Sequence, residues 1–165
     1  MHGELITKGA LHISWQGDSC GAEITLRGEI NEKCELAFLA ERVQERVTVD
    51  LGEVVFINSL GIRVWIQLLQ ALNKRGVAVT IRRCPELMIL HMNVIVEAQS
   101  GAHVESFFAP YECLSCCHDA DVCINVSEHI SDLQQNRPPM VACPECGAPM
   151  DFCELPDRYL QFITH

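Results

Sequence analysis

The chain has little positive charge and no long apolar run, and each shortage excludes a class of protein. It holds 12 Lys and Arg residues against 22 Asp and Glu residues among 165, a net charge of −10. No stretch approaches the roughly 18 consecutive apolar residues of a membrane-spanning helix, and the first residues lack the basic-then-apolar layout of a secretory signal. We therefore expect a cytoplasmic protein without membrane insertion, whose cysteines are thiols or metal ligands instead of disulfides.

The sequence patterns of common enzyme sites are also absent. There is no Gly-rich phosphate loop, no Gly-x-Ser-x-Gly nucleophile turn and no His-Glu-x-x-His pair. Isolated acids and histidines occur without a spacing that would join them into a site. An apolar fraction of 48% is nevertheless enough for a real core. The sequence predicts a folded protein that is not an enzyme.

Cysteine is abundant, and four of the ten cysteines form two Cys-x-x-Cys pairs, Cys113 with Cys116 and Cys143 with Cys146. Each pair places two thiolates one tight turn apart, which suits a tetrahedral Zn²⁺ ion bound by sulfur. Gly147 follows the second pair, where a chain turning back needs a positive φ. Because four thiolates leave no open position for water, we expect one structural zinc ion and no catalysis at the metal.

The remaining cysteines leave several interpretations open. Cys117, Cys123 and Cys153, together with His118, could form a second metal site, could replace Cys116, or could be ordinary small apolar residues. Cys20, Cys34 and Cys84 are scattered through the first part of the chain. We expect these last three to pack as small apolar side chains.

Charge argues against nucleic acid as the partner of this cysteine-rich segment. Residues 109–165 hold nine acids and two bases, Arg137 and Arg158, for a net charge of −7. Binding to phosphates depends on Lys and Arg side chains that displace counterions. A nucleic-acid-associated zinc ribbon is therefore a minor alternative.

Hydrophobic periodicity predicts an α/β domain over residues 1–108 and a zinc ribbon over residues 109–165. Apolar residues alternate in strands and recur every three to four residues in helices. The predicted elements are a hairpin over 11–15 and 22–26, a helix over 31–42, a strand over 47–51, a helix over 60–75, a strand over 77–81, a helix over 85–96, a strand over 103–109 and a C-terminal helix over 155–163. This alternation is typical of a sheet covered by helices.

The centre of the first segment combines the strand over 47–51, a short apolar loop through Phe56 and Ile57, and a helix that opens with Asn58-Ser59-Leu60-Gly61. This combination resembles the STAS domain, which is named for sulfate transporters and anti-sigma-factor antagonists. Asn58 stands where the family has Asp, and Leu60 where it has a second Ser or Thr. The resemblance implies a STAS-like mixed β-sheet with helical cover, to which the small C-terminal zinc ribbon is an addition.

The resemblance also implies a function. In bacterial antagonists of this family, a partner kinase that is also the anti-sigma factor phosphorylates the first Ser of the motif, and that position falls on Ser59. It implies a non-enzymatic signalling protein whose partner is an anti-sigma factor with serine kinase activity or a receptor-like regulator. The residues expected to contact this partner are Asn58, Ser59, Leu60, Gly61 and Arg63.

Simple physical chemistry leaves two roles open for Ser59. At a helix N-terminus, free N–H groups and the helix dipole would stabilise a phosphate, and the added charge would repel a partner that fits the neutral form. Alternatively, Asn58 or Ser59 only caps the helix. In that case the chain could be a structural subunit of a larger complex without phosphorylation.

A basic cluster is the last feature of note, and it comprises Arg63, Lys74, Arg75, Arg82 and Arg83. It could receive an acidic partner, or it could simply be solvated. His91 and Met92 lie in a nearly apolar helix, so we expect them in the core or at an interface.

Overall fold

The structure is a computed structural model that describes residues 4–18 and 20–164, and it is a mixed α/β fold. A six-stranded sheet in the order β1-β2-β3-β4-β5-β6 forms its first part. Its strands are β1 (Glu4–Lys8), β2 (Leu11–Gly17), β3 (Gly21–Ile30), β4 (Arg46–Ile57), β5 (Ala78–Arg82) and β6 (His103–Val104). The first three strands are antiparallel, and β3 to β6 run parallel.

One face of this sheet is covered by helices, α1 (Ser59–Lys74) between β4 and β5 and α2 (Glu86–Val94) between β5 and β6. Crossovers between parallel strands are right-handed in nearly all proteins, which puts the helices of two successive crossovers in the same direction on one side of the sheet. Burial alternates along β2 as expected for a sheet with one covered face. Leu11, Ile13 and Trp15 are buried, whereas His12 is exposed. The opposite face of the sheet carries polar side chains, among them His12, Arg27 and Asp50.

Helix α1 forms because its apolar residues recur at helical spacing. Trp65, Leu68, Leu69 and Leu72 are buried against the sheet, and the indole N–H of Trp65 donates to the carbonyl of Ala98 at 2.8 Å. Gly76, with a φ of 73°, follows the helix in the left-handed conformation that ends it.

The start of α1 depends on Gly61, which lies directly against the end of β3. A Cβ atom at this position would be 2.0 Å from the carbonyl oxygen of Ile30. Any side chain would therefore push the helix away from the sheet, and Ser59 with it.

A second sheet, in the order β8-β7-β10-β9, forms the rest of the chain. Three helices accompany it. The elements are β7 (Ser106–Cys113), β8 (His118–Asn125), α3 (Val126–Leu133), β9 (Val141–Ala142), β10 (Pro149–Phe152), α4 (Pro156–Tyr159) and α5 (Gln161–Thr164).

The two parts share one hydrophobic core. Phe107 of β7 forms a parallel bridge with Cys84, so the predicted boundary between residues 108 and 109 lies inside β7. The side chain of Asn93 in α2 binds the C-terminal helices α4 and α5. Its amide N–H groups donate to the carbonyls of Arg158 and Tyr159 at 3.0 and 2.9 Å, and its oxygen accepts from the N–H of Phe162 at 2.9 Å. Whether residues 1–108 are a separate domain stays a prediction.

The predicted hairpin is confirmed as β2 and β3, but the helix over 31–42 is wrong. Only Ala37–Arg42 is helical there, as a 3₁₀ helix. The side chain of Asn31 accepts from the N–H of Lys33 at 3.0 Å, two residues on, so it forms a turn instead of a helix cap.

Three further boundaries differ from the predictions. The apolar loop expected before Asn58 belongs to β4, because Glu53–Ile57 pairs with the end of β3. The strand expected over 103–109 is two strands, β6 and β7, in different sheets, and the helix expected over 155–163 is interrupted between α4 and α5. β1 and α3 were not predicted.

The contact at Gly61 generates a prediction about stability. Replacing Gly61 with Ala should lower the free energy of unfolding by about 2 kcal/mol or more, because the new methyl group overlaps the Ile30 carbonyl. Urea unfolding measures this change. Gln70→Ala, on the exposed side of the same helix, is the control and should change stability by less than about 0.5 kcal/mol. Equal stability of the two variants would contradict the close contact.

Candidate metal centre

The two Cys-x-x-Cys pairs lie at the tips of two neighbouring hairpins. The first tip joins β7 to β8, and the second joins β9 to β10. Strands β7 and β10 are paired antiparallel, with Tyr111 opposite Phe152 and Glu112 opposite Asp151. This pairing brings together two tips that are far apart in sequence.

Both tips use the same tight turn. The N–H of Cys117 donates to the carbonyl of Cys113 at 2.8 Å, and the N–H of Gly147 donates to the carbonyl of Cys143 at 2.9 Å. Cys117 and Gly147 have positive φ angles of 56° and 73°. Cys117 therefore occupies the backbone position that Gly147 occupies in the second tip.

Cys113, Cys116, Cys143 and Cys146, called here the cysteine cluster, have their sulfur atoms within 4.8 Å of one another. The Sγ atoms of Cys113 and Cys146 are 3.5 Å apart, and those of Cys116 and Cys143 are 3.6 Å apart. Four sulfurs bonded to one ion at about 2.3 Å in a tetrahedron lie about 3.8 Å from each other. The predicted ligands thus come together in an arrangement that could hold one metal ion.

The cysteine cluster has an inner and an outer half. Cys113 and Cys143 are 1% and 3% exposed and belong to the hydrophobic core. Cys116 and Cys146, the second members of the pairs, are exposed to solvent. An ion held by all four would therefore lie where the core meets the surface, with the two buried cysteines on its inner side and the two exposed cysteines on its outer side.

The electrostatics of the cysteine cluster favour a cation. Burial opposes ionisation of Cys113, but the backbone N–H groups of Cys116 and Ser115, together with contacts to the side chains of Cys146 and Cys116, outweigh it and lower the pKa of Cys113 to about 6. Contact with Cys146 and Cys143 raises the pKa of Cys116 to about 12. For Cys146, the N–H of Ala148 lowers the pKa, but contact with Cys113 and burial more than offset this, and the pKa of Cys146 is raised. The thiolate of Cys113 therefore forms easily, whereas Cys116 and Cys146 need a positive charge beside them to ionise near neutral pH.

The other candidate ligands do not join this site. In the stretches 4–18 and 20–164, the cysteine cluster is the only group of three or more potential ligand side chains close enough to share an ion. A second metal site at Cys117, His118, Cys123 and Cys153 therefore finds no support in these residues. Among the scattered cysteines, Cys34 and Cys84 are buried as predicted, but Cys20 is exposed, so the prediction is wrong for that residue.

Ser59 lies at the first position of α1 with its side chain exposed. Asn58 is the cap: its side-chain oxygen accepts from the N–H of Gly61 at 2.7 Å. The amide of Asn58 also donates to Glu32 at 3.0 Å, which lowers the pKa of Glu32. Leu60 and Arg63 are exposed as well, so the helix start presents three of its five predicted contact residues to solvent while Gly61 is buried.

The basic cluster is not a single open patch. Arg82 pairs with Glu23 and Glu105, each at 2.8 Å, and Arg83 pairs with Asp50 at 2.9 Å. Arg63, Lys74 and Arg75 are exposed.

Sequence reasoning missed the buried carboxylate of Asp50. Its Oδ1 accepts from the N–H of Gly52 at 2.9 Å and from the guanidinium of Arg83 at 2.9 Å. An acid at the end of an apolar strand was the available signal. Arg83 itself donates its backbone N–H to the hydroxyl of Ser106 at 2.9 Å, so this network joins β4 to the start of β7.

The raised thiol pKa values predict that metal affinity depends on pH. Near neutral pH, Cys116 and Cys146 are protonated in the metal-free protein and must lose their protons to bind. Each released proton weakens binding about tenfold per unit fall in pH, so affinity should fall about a hundredfold or more from pH 7.5 to 6.5. Competition with a chromophoric chelator measures this, and an affinity independent of pH would contradict the four-thiol site.

Ligand identity can be tested by substitution. Cys146→Ser should reduce bound metal from one ion per chain to well below one, because it removes a ligand of the cysteine cluster. Cys117→Gly should keep one ion, because glycine adopts the positive φ of residue 117 without strain. Metal analysis of the purified variants decides. Loss of metal in the Cys117 variant, or two ions per wild-type chain, would count against the assignment.

Comparison with known proteins adds no relative to this picture: no protein-family model matches the chain, and no curated protein matches it significantly. Among the helices of the described residues, none has the length and apolarity to cross a membrane.

Proposed function

We propose that this chain is a non-enzymatic regulatory protein of the STAS type that binds another protein through the surface around Ser59. The observation that carries the proposal is the exposed Ser59 at the start of α1, with exposed apolar side chains on both sides of it in sequence. Support for the STAS relationship comes from parallel strands β3 to β6 and from the position of the motif between β4 and α1.

Exposed apolar side chains support a protein partner. Val55 is 71% exposed and Leu60 is 46% exposed, and Phe56 is exposed between them in sequence. A second exposed row lies on α2, which covers the same face of the six-stranded sheet as α1. It consists of Leu87, Leu90 and Val94, which are at helical spacing. Protein interaction sites are commonly built from exposed apolar side chains.

Phosphorylation of Ser59 would change this surface electrostatically. The Asn58 side chain already accepts from the N–H of Gly61. The helix dipole and the other N–H groups of the first turn would stabilise the added phosphate. The phosphate would bring about −1.5 to −2 charges beside the Asn58–Glu32 pair. A partner that packs on Phe56 and Leu60 in the neutral state would then meet a strongly negative, hydrated group.

The cysteine cluster supports this function structurally. We propose zinc as its ion, because four thiolates in a closed tetrahedral set suit zinc and leave no position for a substrate. Strand β4 extends past the end of β5 towards Ser59, and β7 continues past β5 in the same direction towards Cys113. The zinc-bound sheet would therefore rigidify and extend the side of the molecule that presents Ser59.

The overall charge favours a basic partner surface. With a net charge of −10, the chain attracts basic proteins over long range, which raises association rates. An anti-sigma factor with serine kinase activity, or a receptor-like regulator, is the partner class that the STAS relationship suggests.

Affinity purification from the native host tests the proposal. Ser59→Asp should recover at least tenfold less partner than wild type, because it places a charge on the contact surface, whereas Ser59→Ala should recover as much as wild type. Ser127→Asp is the matched control, since Ser127 is exposed in the first turn of α3 and that helix is also capped by an asparagine, Asn125. The control should bind like wild type.

Two results would contradict the proposal. One is equal recovery of partners by wild type and Ser59→Asp. The other is an equal loss in Ser59→Asp and Ser127→Asp, which would point to general charge repulsion. Phosphorylated Ser59 in the purified wild-type protein, mapped by mass spectrometry, would extend binding to regulation by a kinase.

A further inference from the structure

We propose that the metal-loaded cysteine cluster is a site of oxidation by hydroperoxides, which form a disulfide between the two hairpin tips and release the metal. This inference rests on the cysteine cluster and not on the role of Ser59. It depends on two observations, the unequal exposure of the four cysteine residues and the distances between their sulfur atoms.

Access decides which sulfurs react first. A purely structural centre is best protected when all its ligands are buried, but here Cys116 and Cys146 are exposed while Cys113 and Cys143 are in the core. The two residues between the cysteines of each tip are exposed too: Leu114 and Ser115 in the first tip, and Pro144 and Glu145 in the second. A molecule as small as hydrogen peroxide can therefore approach these two exposed cysteines directly from solvent.

Geometry decides which sulfurs respond. The sulfur of Cys116 is 3.6 Å from that of Cys143, and the sulfur of Cys146 is 3.5 Å from that of Cys113. Each short distance joins an exposed sulfur of one tip to a buried sulfur of the other tip. A disulfide bond is about 2.05 Å long, so a closure of about 1.5 Å at the turn would form it.

The chemistry balances with peroxide as the only added reactant. The exposed thiolate attacks one peroxide oxygen: an S–O bond forms, the O–O bond breaks, and hydroxide leaves as a sulfenic acid is produced. The buried thiolate of the opposite tip attacks that sulfur: an S–S bond forms, the S–O bond breaks, and a second hydroxide leaves. The two sulfurs lose two electrons in total, and the two oxygens gain them and become water after taking up two protons.

Metal release follows from the loss of ligands. A disulfide removes two of the four thiolates, and the two that remain cannot complete a tetrahedral site. The tips are then joined by one covalent bond instead of four bonds to a central ion. Reduction by a thiol restores the four ligands, so the change is reversible.

The experiment treats the zinc-loaded full-length protein with hydrogen peroxide and follows zinc with a chromogenic chelator. We expect one zinc ion released per chain as two thiols are lost, and peptide mapping should show a bond between Cys116 and Cys143 or between Cys113 and Cys146. Addition of a dithiol and zinc should restore binding. Bonds to Cys20, Cys117, Cys123 or Cys153, bonds within one tip, or zinc released without a disulfide would overturn the proposal.

Two variants sharpen the test. Cys116→His with Cys146→His replaces both exposed sulfurs by another zinc ligand, so release by peroxide should slow at least tenfold. Cys117→Gly removes the nearby exposed thiol that is outside the cysteine cluster and should release zinc at the wild-type rate. The reverse pattern would assign the reaction to Cys117. If the double variant does not bind zinc, the peptide map of the wild-type protein decides alone.

Discussion

The pairing of β7 with β10 is the interaction on which the second half of the structure depends. These strands are held together by two residue pairs and by a hydrogen bond from the N–H of Cys153 to the carbonyl of Pro110 at 3.0 Å. The rings of the paired Tyr111 and Phe152 are 5.5 Å apart, and the Tyr111 hydroxyl donates to the carbonyl of Pro139 at 2.8 Å. So short a pairing is weak alone, yet it positions four sulfurs from tips separated by a long connection. An ion in the cysteine cluster would link the two tips and stabilise the pairing of β7 with β10, because the free energy of metal binding adds to the free energy of folding.

The sequence was informative where local patterns decide the structure. The four cysteines could be paired from spacing alone, and α1 could be located from Asn58, its apolar repeat and Gly76. It was misleading where distant residues decide. Asn31 looks like a helix cap but closes a turn, and the segment before Asn58 looks like a loop but is a strand because the end of β3 lies beside it. α3 was missed although Asn125 caps it and Val126, Ile130 and Leu133 have helical spacing. The acids that neutralise Arg82 and Arg83 come from other strands, which no local pattern reveals.

The proposed regulatory surface and the cysteine cluster are connected by the parallel strands. Asp50 near the middle of β4 binds Arg83, and Arg83 in turn binds Ser106 at the start of β7. Beyond that network β4 leads to Ser59 and β7 leads to Cys113. The second sheet is therefore joined by a short network of hydrogen bonds to β4, the strand that precedes Ser59. The proposed function would link the cysteine cluster, which has no open coordination position, to the proposed binding surface through this network.

X-ray absorption at the zinc edge of the purified protein tests the central claim most directly, because it reports the ligand atoms of a bound ion. We expect four sulfur ligands at about 2.3 Å and no nitrogen or oxygen bound to the ion. Nitrogen or oxygen bound to the ion, or a protein that holds no zinc after purification under reducing conditions, would contradict this claim.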